Sequence, residues 1–313
     1  MIERRVMKRG SFFCLFLLLG TLTGCQEAAT DAADASANTS ELMQDADAPF
    51  EVLGPAIAGE LIQARSQVRT TTILSMLPDM GRDAAYEVQL EALRIQEAAG
   101  EQRIGWKMGG TRVTEAGASP DPSFAYILRS DSLDDGAQLS AATYVDGDVL
   151  VEAEIAFIMG KDLAGSSHSA EAVRDAVAAV AGAIELIDIR VVAGEDGEAP
   201  GMNHMIAANL SHAGIILTEA RLPLETVDLA AETAVVYVDG EEAASGSGNQ
   251  IMGTTPMDAL VWIANALPGQ GLMLRAGDVV ITGGLYDNPV LATGNSAEVT
   301  FSSFGRIGVS MGD

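Results

Sequence analysis

Two acidic residues interrupt an apolar run from Leu150 to Phe157, and this run constrains the fold more than any other stretch. Because side chains alternate along a strand, Glu152 and Glu154 lie on one face, about 7 Å apart at the backbone. Two carboxylates in an apolar setting repel each other and lose hydration, so they need a cation, a shared proton or a basic partner. The run predicts a buried strand that holds a divalent metal ion; an ion pair and a solvated strand face are the alternatives.

A third acid, Glu185, lies among aliphatic residues between Ala183 and Ile189. A carboxylate in such surroundings is expected to be buried and to need a partner. Together with Glu152 and Glu154 it makes an all-oxygen set, which suits Mg²⁺, Mn²⁺ or Ca²⁺ better than Zn²⁺. The three histidines, His168, His204 and His212, show no zinc-type spacing.

Two further patterns involve charged residues in apolar surroundings. Lys107 lies between apolar residues and glycines in Trp106–Gly110, so it either extends its ammonium to solvent or is held in a site. Near a metal it would hold an anionic substrate or an enolate. Asp188 and Arg190 are predicted to pair with each other.

The remaining chain divides into helices followed mostly by strands, an order that favours the α+β class over a regular βαβ fold. Apolar spacing predicts an amino-terminal helical part over residues 50–100, with short strands from Ile104 onward. A helix over Ala170–Ala181 is predicted between strands over 150–159 and 181–192. Asp239-Gly240 predicts a hairpin turn.

The charge and the amino terminus limit partners and location. The 313 residues carry a formal charge of −26, which disfavours binding to a phosphate backbone. Residues 1–24 combine a basic start with the apolar segment 12–19 and predict a lipoprotein signal peptide. Leu22–Cys25 resembles a bacterial lipobox, so Cys25 is the expected lipidation site, although an ordinary secretory signal is the alternative. Gln26 after the cysteine favours an outer-membrane lipoprotein that faces the periplasm.

Residues 25–49 contain six acidic and no basic residues, and they predict a disordered tether, with an Ala-rich helix as the alternative. Residues 50–313 are then expected to form a single catalytic domain. Its size is ample for one hydrophobic core.

Several segments, in their order and spacing, resemble the 2-keto-4-pentenoate hydratase branch of the fumarylacetoacetate hydrolase superfamily. The resemblance runs from about Asp83 to the carboxyl terminus. The matched segments are residues 85–89, 105–109, 151–157, 183–188, 252–256, 262–265 and 274–283.

This resemblance implies a mixed β-roll or half-barrel with flanking helices. It implies Mg²⁺ or Mn²⁺ on Glu152, Glu154 and Glu185, with a small 2-oxo acid chelating the ion. It makes Lys107 the catalytic lysine, and it assigns substrate binding to Asn209 and Thr282.

Three departures from the family pattern surround these residues. Arg129 and Ser130 stand where the family usually carries acids, with Asp131 one position later. Ala208 replaces the acid of an Ala-Asp-Asn motif. Arg112 replaces a small polar residue and is predicted to bind substrate; Arg112 and Arg129 favour a more anionic substrate, or else are surface arginines.

The resemblance implies a hydro-lyase that adds water to a 2-hydroxydienoate or 2-oxo-enoic acid, and a homo-oligomer. Decarboxylation or C–C hydrolysis on the same metal site is one alternative. A non-catalytic, exported lipoprotein that binds keto acids is the other, and the altered acids favour it.

Overall fold

A computed structural model gives the structure of the protein and describes residues 49–113, 120–192 and 200–313. The signal peptide, Cys25 and nearly all of the tether lie outside the described residues. The α-helices are α1 (Phe50–Ser66), α2 (Arg82–Ala98), α3 (Ala170–Arg174), α4 (Met202–Ala207) and α5 (Pro256–Ala266). The amino-terminal helical prediction over residues 50–100 corresponds to α1 and α2.

The strands follow α1 and α2, as the sequence predicts, and the three shorter helices lie between strands. They are β1 (Arg103–Gly109), β2 (Ser123–Leu128), β3 (Ser132–Leu133), β4 (Ala137–Ser140), β5 (Asp148–Met159), β6 (Val177–Ile187), β7 (His212–Leu217), β8 (Thr233–Val238), β9 (Glu241–Ser247), β10 (Val279–Ile281), β11 (Val290–Ala292), β12 (Ser296–Phe301) and β13 (Gly305–Gly312). Asp239 and Gly240 both have positive φ, 50° and 83°, and turn β8 into β9 as predicted.

The strands form two mixed sheets. The larger has the order β2-β1-β10-β5-β6-β7-β3, with β11 also paired to β5, and the smaller has the order β4-β13-β12-β8-β9. Pairing is antiparallel except for the β1–β10, β3–β7 and β4–β13 pairs. The curled larger sheet with few helices confirms the predicted α+β half-barrel.

Strand β6 corrects the prediction of a helix over Ala170–Ala181. The helix α3 ends at Arg174, and Val177 already pairs with Met159 of β5. Alanine has the highest helix propensity, but differences in propensity amount to less than about 1 kcal/mol per residue, and pairing with a long buried strand overrides them. The predicted strand over 181–192 is correspondingly shifted, because β6 ends at Ile187.

The two faces of β5 and β6 have different neighbours. Gly182 faces the smaller sheet, where a Cβ atom on it would lie 2.7 Å from the ring of Phe301. The opposite face carries an apolar cluster that includes Ala156, Ala181 and Ile281. The three acids continue this second face toward one end of the sheet, so the packed core supports them from one side.

Candidate active site

Strand register brings the three predicted acids together. Glu152 on β5 pairs directly with Glu185 on β6, and Glu154 follows two residues later on the same face. One carboxylate oxygen from each residue lies within 4.8 Å of the others. Glu154 and Glu185 are completely buried. The site is therefore a cluster of like charges in an apolar setting, as the sequence predicts.

Two donors hold one oxygen of Glu185. Lys107 Nζ lies 3.0 Å from Glu185 Oε1, and His212 Nδ1 lies 2.6 Å from the same atom. The other oxygen, Oε2, is buried and has no hydrogen-bond partner among the described residues. The protein therefore fixes one oxygen and leaves the second available to a ligand.

Glu154 and Glu152 likewise each have one carboxylate oxygen held by a protein donor. Glu154 Oε2 accepts the main-chain N–H of Gly283 at 2.6 Å, while its buried Oε1 has no partner among the described residues. Glu152 Oε1 accepts the side-chain amide of Asn288. Unpartnered, convergent carboxylate oxygens are a donor set that fits a hard divalent cation such as Mg²⁺ or Mn²⁺.

The electrostatics of the cluster favour a cation for the same reason. Burial and the neighbouring charges of Glu185 and Glu152 raise the pKa of Glu154 well above its usual range. Burial and Glu185 likewise raise the pKa of Glu152. Burial opposes ionisation of Glu185 as well, but Lys107 and His212 outweigh it and lower the pKa of this carboxyl. A divalent cation would relieve the repulsion that raises the first two pKa values.

Lys107 lies on β1, where it pairs with Ile281 of β10, and is only 3% exposed. Burial alone would lower the pKa of its ammonium, but the charges of the three glutamates raise the pKa above its usual range. The side chain is therefore a buried cation next to the acids, which answers the question that the sequence left open. Its ammonium also lies 3.4 Å from the carbonyl oxygen of Leu210.

A cavity of about 400 Å³ opens beside the acidic cluster. Its lining contains glycines at two sharp turns, two cations and several acids. These residues are Lys107, Met108, Gly109, Gly110, Thr111, Arg112, Pro120, Asp121, Glu152, Gly283, Gly284, Tyr286, Asp287 and Asn288.

Arg112 lines this cavity, as expected of a substrate-binding residue. Its guanidinium forms an ion pair with Asp287, whose side chain is 94% exposed. A partner so open to water is weakly held, and such pairs contribute little to stability. Arg112 is therefore positioned to exchange Asp287 for an anionic ligand.

Asn209 and Thr282, the other two predicted substrate contacts, are occupied within the protein. The amide of Asn209 bonds both main-chain groups of Tyr126, and Asn209 lines a different, smaller cavity of about 50 Å³. The hydroxyl of Thr282 donates to the carbonyl of Ile155 at 3.2 Å. Asn209 does not line the cavity beside the acids, because its amide is held by the main chain of Tyr126 on β2.

The sequence did not single out three residues that contact the acids: His212, Gly283 and Asn288. His212 begins β7, the strand next to Glu185, but a search for zinc spacing passes over a histidine that binds a carboxylate. Gly283 has a positive φ of 100° and was visible only as part of the Thr-Gly segment. By contrast, the predicted pair of Asp188 and Arg190 is confirmed at 2.6 Å.

Comparison with protein families decides where this chain belongs. The protein-family model described as fumarylacetoacetate (FAA) hydrolase C-terminal matches residues 96–310 of this chain. The chain belongs to this fumarylacetoacetate hydrolase family. The family prediction made from the sequence segments is confirmed, and the match covers all of β1 to β12 and all but the last two residues of β13.

Curated relatives in this family are hydratases. The chain is 30% identical over 234 residues to the 2-hydroxyhexa-2,4-dienoate hydratase of Comamonas testosteroni, which covers 74% of this chain and 87% of the relative. It is also 30% identical over 233 residues to the 2-keto-4-pentenoate hydratase of Burkholderia vietnamiensis, covering 74% and 86%.

A solved structure of similar fold is the 4-oxalocrotonate decarboxylase from Pseudomonas putida G7, complexed with magnesium and adipate. Its TM-score to this chain is 0.75 at 26% identity, covering 84% of this chain and 98% of the decarboxylase. Structural neighbours in the family thus hold a divalent metal.

The comparisons correct the predicted location on the outer membrane. The relatives are named as hydratases, and neither is named as a lipoprotein or membrane protein. Within residues 49–113, 120–192 and 200–313, the helices are too short or too polar to cross a bilayer. The predicted location rested on this short amino-terminal pattern alone, and its residues lie outside the described part of the chain. The signal peptide and the lipidation of Cys25 stay predictions.

Proposed function

We propose that this chain is a divalent-metal-dependent hydro-lyase that adds water to a 2-hydroxydienoate or 2-oxo-enoic acid. The observation that carries the proposal is the convergence of Glu152, Glu154 and Glu185 beside Lys107, at the edge of a cavity of about 400 Å³. The hydratases to which the chain is 30% identical support the reaction class.

In this proposal Glu152, Glu154 and Glu185 hold Mg²⁺ or Mn²⁺ through the oxygens that the protein leaves without donors. Such an ion, when bound, supplies Lewis-acid polarisation of carbonyl and carboxylate oxygens. Asn288 and Gly283 keep the other oxygens of Glu152 and Glu154 in place. This support reduces the rearrangement needed for binding.

Lys107 is the proposed catalytic residue. Because its pKa is raised, it stays protonated and acts as a buried positive charge and hydrogen-bond donor. Negative charge that develops on a substrate oxygen near this ammonium is stabilised more strongly than in water, because the site is desolvated. Its contact with Glu185 at 3.0 Å keeps the ammonium oriented before substrate arrives.

Arg112 is proposed to bind the far end of the substrate. It shares the cavity with Lys107 and Glu152, and its one ion pair among the described residues is with the exposed Asp287. A carboxylate on the substrate's tail would form a charge-assisted pair with this guanidinium. A dicarboxylic 2-oxo acid therefore fits the cavity better than a substrate with an uncharged tail.

Decarboxylation is the second candidate reaction. It is favoured by the decarboxylase of Pseudomonas putida, whose fold matches 84% of this chain at a TM-score of 0.75. The same carboxylate cluster and the same lysine would serve it.

We further propose that residues 50–313 form one catalytic domain that assembles as a homo-oligomer. Light scattering coupled to size-exclusion chromatography tests this assembly.

The reaction is tested with purified full-length protein and 2-hydroxypenta-2,4-dienoate, in Mg²⁺, Mn²⁺ or EDTA. We expect metal-dependent loss of the dienol absorbance and a product heavier by one water. Glu152→Gln is expected to abolish turnover, whereas Glu232→Gln, a change in a buried glutamate that binds the main chain of Ser303, retains it. Metal binding without any turnover would refute the proposed enzymatic activity. Carbon dioxide released from a dicarboxylic substrate would show that the reaction is decarboxylation instead of hydration.

A further inference from the structure

A line of ionisable side chains extends from Glu185 away from the cavity. His212 is only 1% exposed, with Nδ1 at 2.6 Å from Glu185 Oε1 and Nε2 at 3.7 Å from Asp131 Oδ2. Asp131 is itself 3% exposed. The imidazole ring therefore lies between two buried carboxylates, one of which belongs to the acidic cluster.

Asp131 is fixed from two directions. Its Oδ2 accepts the main-chain N–H of Leu128 at 2.9 Å, and its Oδ1 accepts the guanidinium of Arg65. Arg65 lies in the last turn of α1, and its side chain is 31% exposed. Hydrogen bonds thus join α1 to Asp131 and His212 to Glu185, while the step between Asp131 and His212 is a 3.7 Å approach without a hydrogen bond.

Helix α1 spans Phe50–Ser66 and lies before the family match, which begins at residue 96. The contact from Arg65 therefore comes from outside the residues that the family model matches. Its effect on the site passes through Asp131 and His212, because Arg65 does not line the cavity beside the acids.

The backbone that presents His212 is strained. Asn209, Leu210 and Ser211 all have positive φ, at 53°, 49° and 57°, although none is glycine. Such conformations are unfavourable for residues with a Cβ and persist only where surrounding contacts impose them. This turn places two groups at the site: His212 contacts Glu185, and the carbonyl oxygen of Leu210 contacts the ammonium of Lys107.

We propose that Arg65, Asp131 and His212 are positioning residues that fix the orientation of the Glu185 carboxylate, so that its unpartnered oxygen faces the metal. A glutamate side chain has several rotamers, and either oxygen can face a cation. His212 and Lys107 both bind Oε1 of Glu185. With Oε1 held in this way, Oε2 is left to face the metal beside Glu152 and Glu154. This inference rests on the proposed metal-binding function of the three glutamates.

The test is the dissociation constant of Mn²⁺, measured by isothermal titration calorimetry on metal-free full-length protein without substrate. His212→Leu removes the donor at similar volume and is expected to weaken Mn²⁺ binding about 10- to 100-fold. His212→Asn keeps an amide N–H near the position of Nδ1 and is expected to recover most of this loss. Circular dichroism and thermal unfolding establish that each variant is folded.

Arg65→Met tests the contribution of α1 and is expected to weaken Mn²⁺ binding about threefold, which is smaller because Arg65 acts through two residues. Arg69→Met is its matched control, because Arg69 forms a comparable ion pair with Glu60 of α1 at 2.6 Å without reaching His212. The control is expected to lower the melting temperature and leave the dissociation constant unchanged. In a His212→Leu background, Arg65→Met should have no further effect on binding.

A folded His212→Leu protein with unchanged Mn²⁺ affinity overturns the positioning role. Equal effects of Arg65→Met with and without His212 overturn the serial arrangement. A wild-type protein that binds no Mn²⁺ removes both this inference and the proposed function. A protein that binds Mn²⁺ as described but does not hydrate the dienoate leaves the positioning role standing while the proposed function fails.

Discussion

Replacing Glu154 with glutamine removes one of three neighbouring negative charges and keeps the size of the side chain. Glu154 is completely buried, and its Oε2 accepts the N–H of Gly283, a bond that the glutamine oxygen can also accept. The change therefore alters the charge of the cluster with little change in packing. We expect it to stabilise the metal-free protein and to abolish stabilisation by metal.

The size of the effect follows from the geometry of the cluster. With an effective dielectric constant of about 20, two unit charges about 5 Å apart repel by about 3 kcal/mol. Glu154 has two such neighbours, Glu152 and Glu185, and Lys107 offsets about one of the two repulsions. The bond to Gly283 loses about 1 kcal/mol when its acceptor becomes neutral. The free energy of unfolding should therefore rise by about 2 kcal/mol.

Thermal unfolding at pH 8 in EDTA and in Mn²⁺ measures both effects. A gain of about 2 kcal/mol corresponds to a rise in melting temperature of about 4–8 °C for a domain of this size. Mn²⁺ at about 100 times its dissociation constant should stabilise the wild type by about 2.7 kcal/mol. The variant should gain almost nothing, so the order of stability of the two proteins should reverse between EDTA and Mn²⁺.

The matched control is Glu232→Gln. Glu232 is also buried, at 2% exposure, but its carboxylate accepts the N–H of Ser303 at 2.9 Å and lies outside the cluster. This control should lose about 1 kcal/mol in both conditions, because it weakens a charge-assisted hydrogen bond. If Glu154→Gln also destabilises the metal-free protein, the three carboxylates do not repel each other as described.

Three further predictions concern the lysine, the arginine and the turn. Lys107→Met should lower kcat/KM for hydration at least about 100-fold while calorimetry still detects Mn²⁺ binding; loss of binding would show that the lysine acts only in holding the acids. Arg112→Gln should lower kcat/KM about tenfold for a dicarboxylic 2-oxo-enoate and leave a monocarboxylic one unchanged; equal losses would contradict a role in recognising the second carboxylate. Gly283→Ala should lower the free energy of unfolding in urea by about 2 kcal/mol or more, because its φ is 100° and a Cβ would lie 2.1 Å from Thr111 Oγ1. The control Gly269→Ala, where a Cβ meets nothing within 4 Å, should change it by less than about 0.5 kcal/mol.

Local patterns predicted those parts of the fold that depend on neighbouring residues. Alternation placed Glu152 and Glu154 on one face, and Asp239-Gly240 predicted the β8–β9 turn. The Ala-rich segment before Gly182 was wrongly predicted as a helix, because its state depends on pairing with β5, a partner about 20 residues away in sequence.

The candidate site also contains some residues that local patterns predicted and others that only contacts between distant segments revealed. The sequence and its family resemblance supplied the three glutamates and Lys107, because acids and a lysine in apolar segments are unusual enough to be noticed. They did not supply His212, which looks unremarkable until strand pairing places it against Glu185. They also assigned Asn209 to the substrate, although its amide bonds the main chain of Tyr126.

Residue type and spacing along one segment were sufficient to predict the family, the two amino-terminal helices and the burial of Glu154 and Glu185. The fold was needed to show that Glu152 lies opposite Glu185, that each acid has one oxygen held by a donor, and that Arg65 of α1 binds Asp131. These features depend on register between strands and on contacts between distant segments. The free energy that selects them comes from packing of the whole domain, and no local pattern of residues contains it.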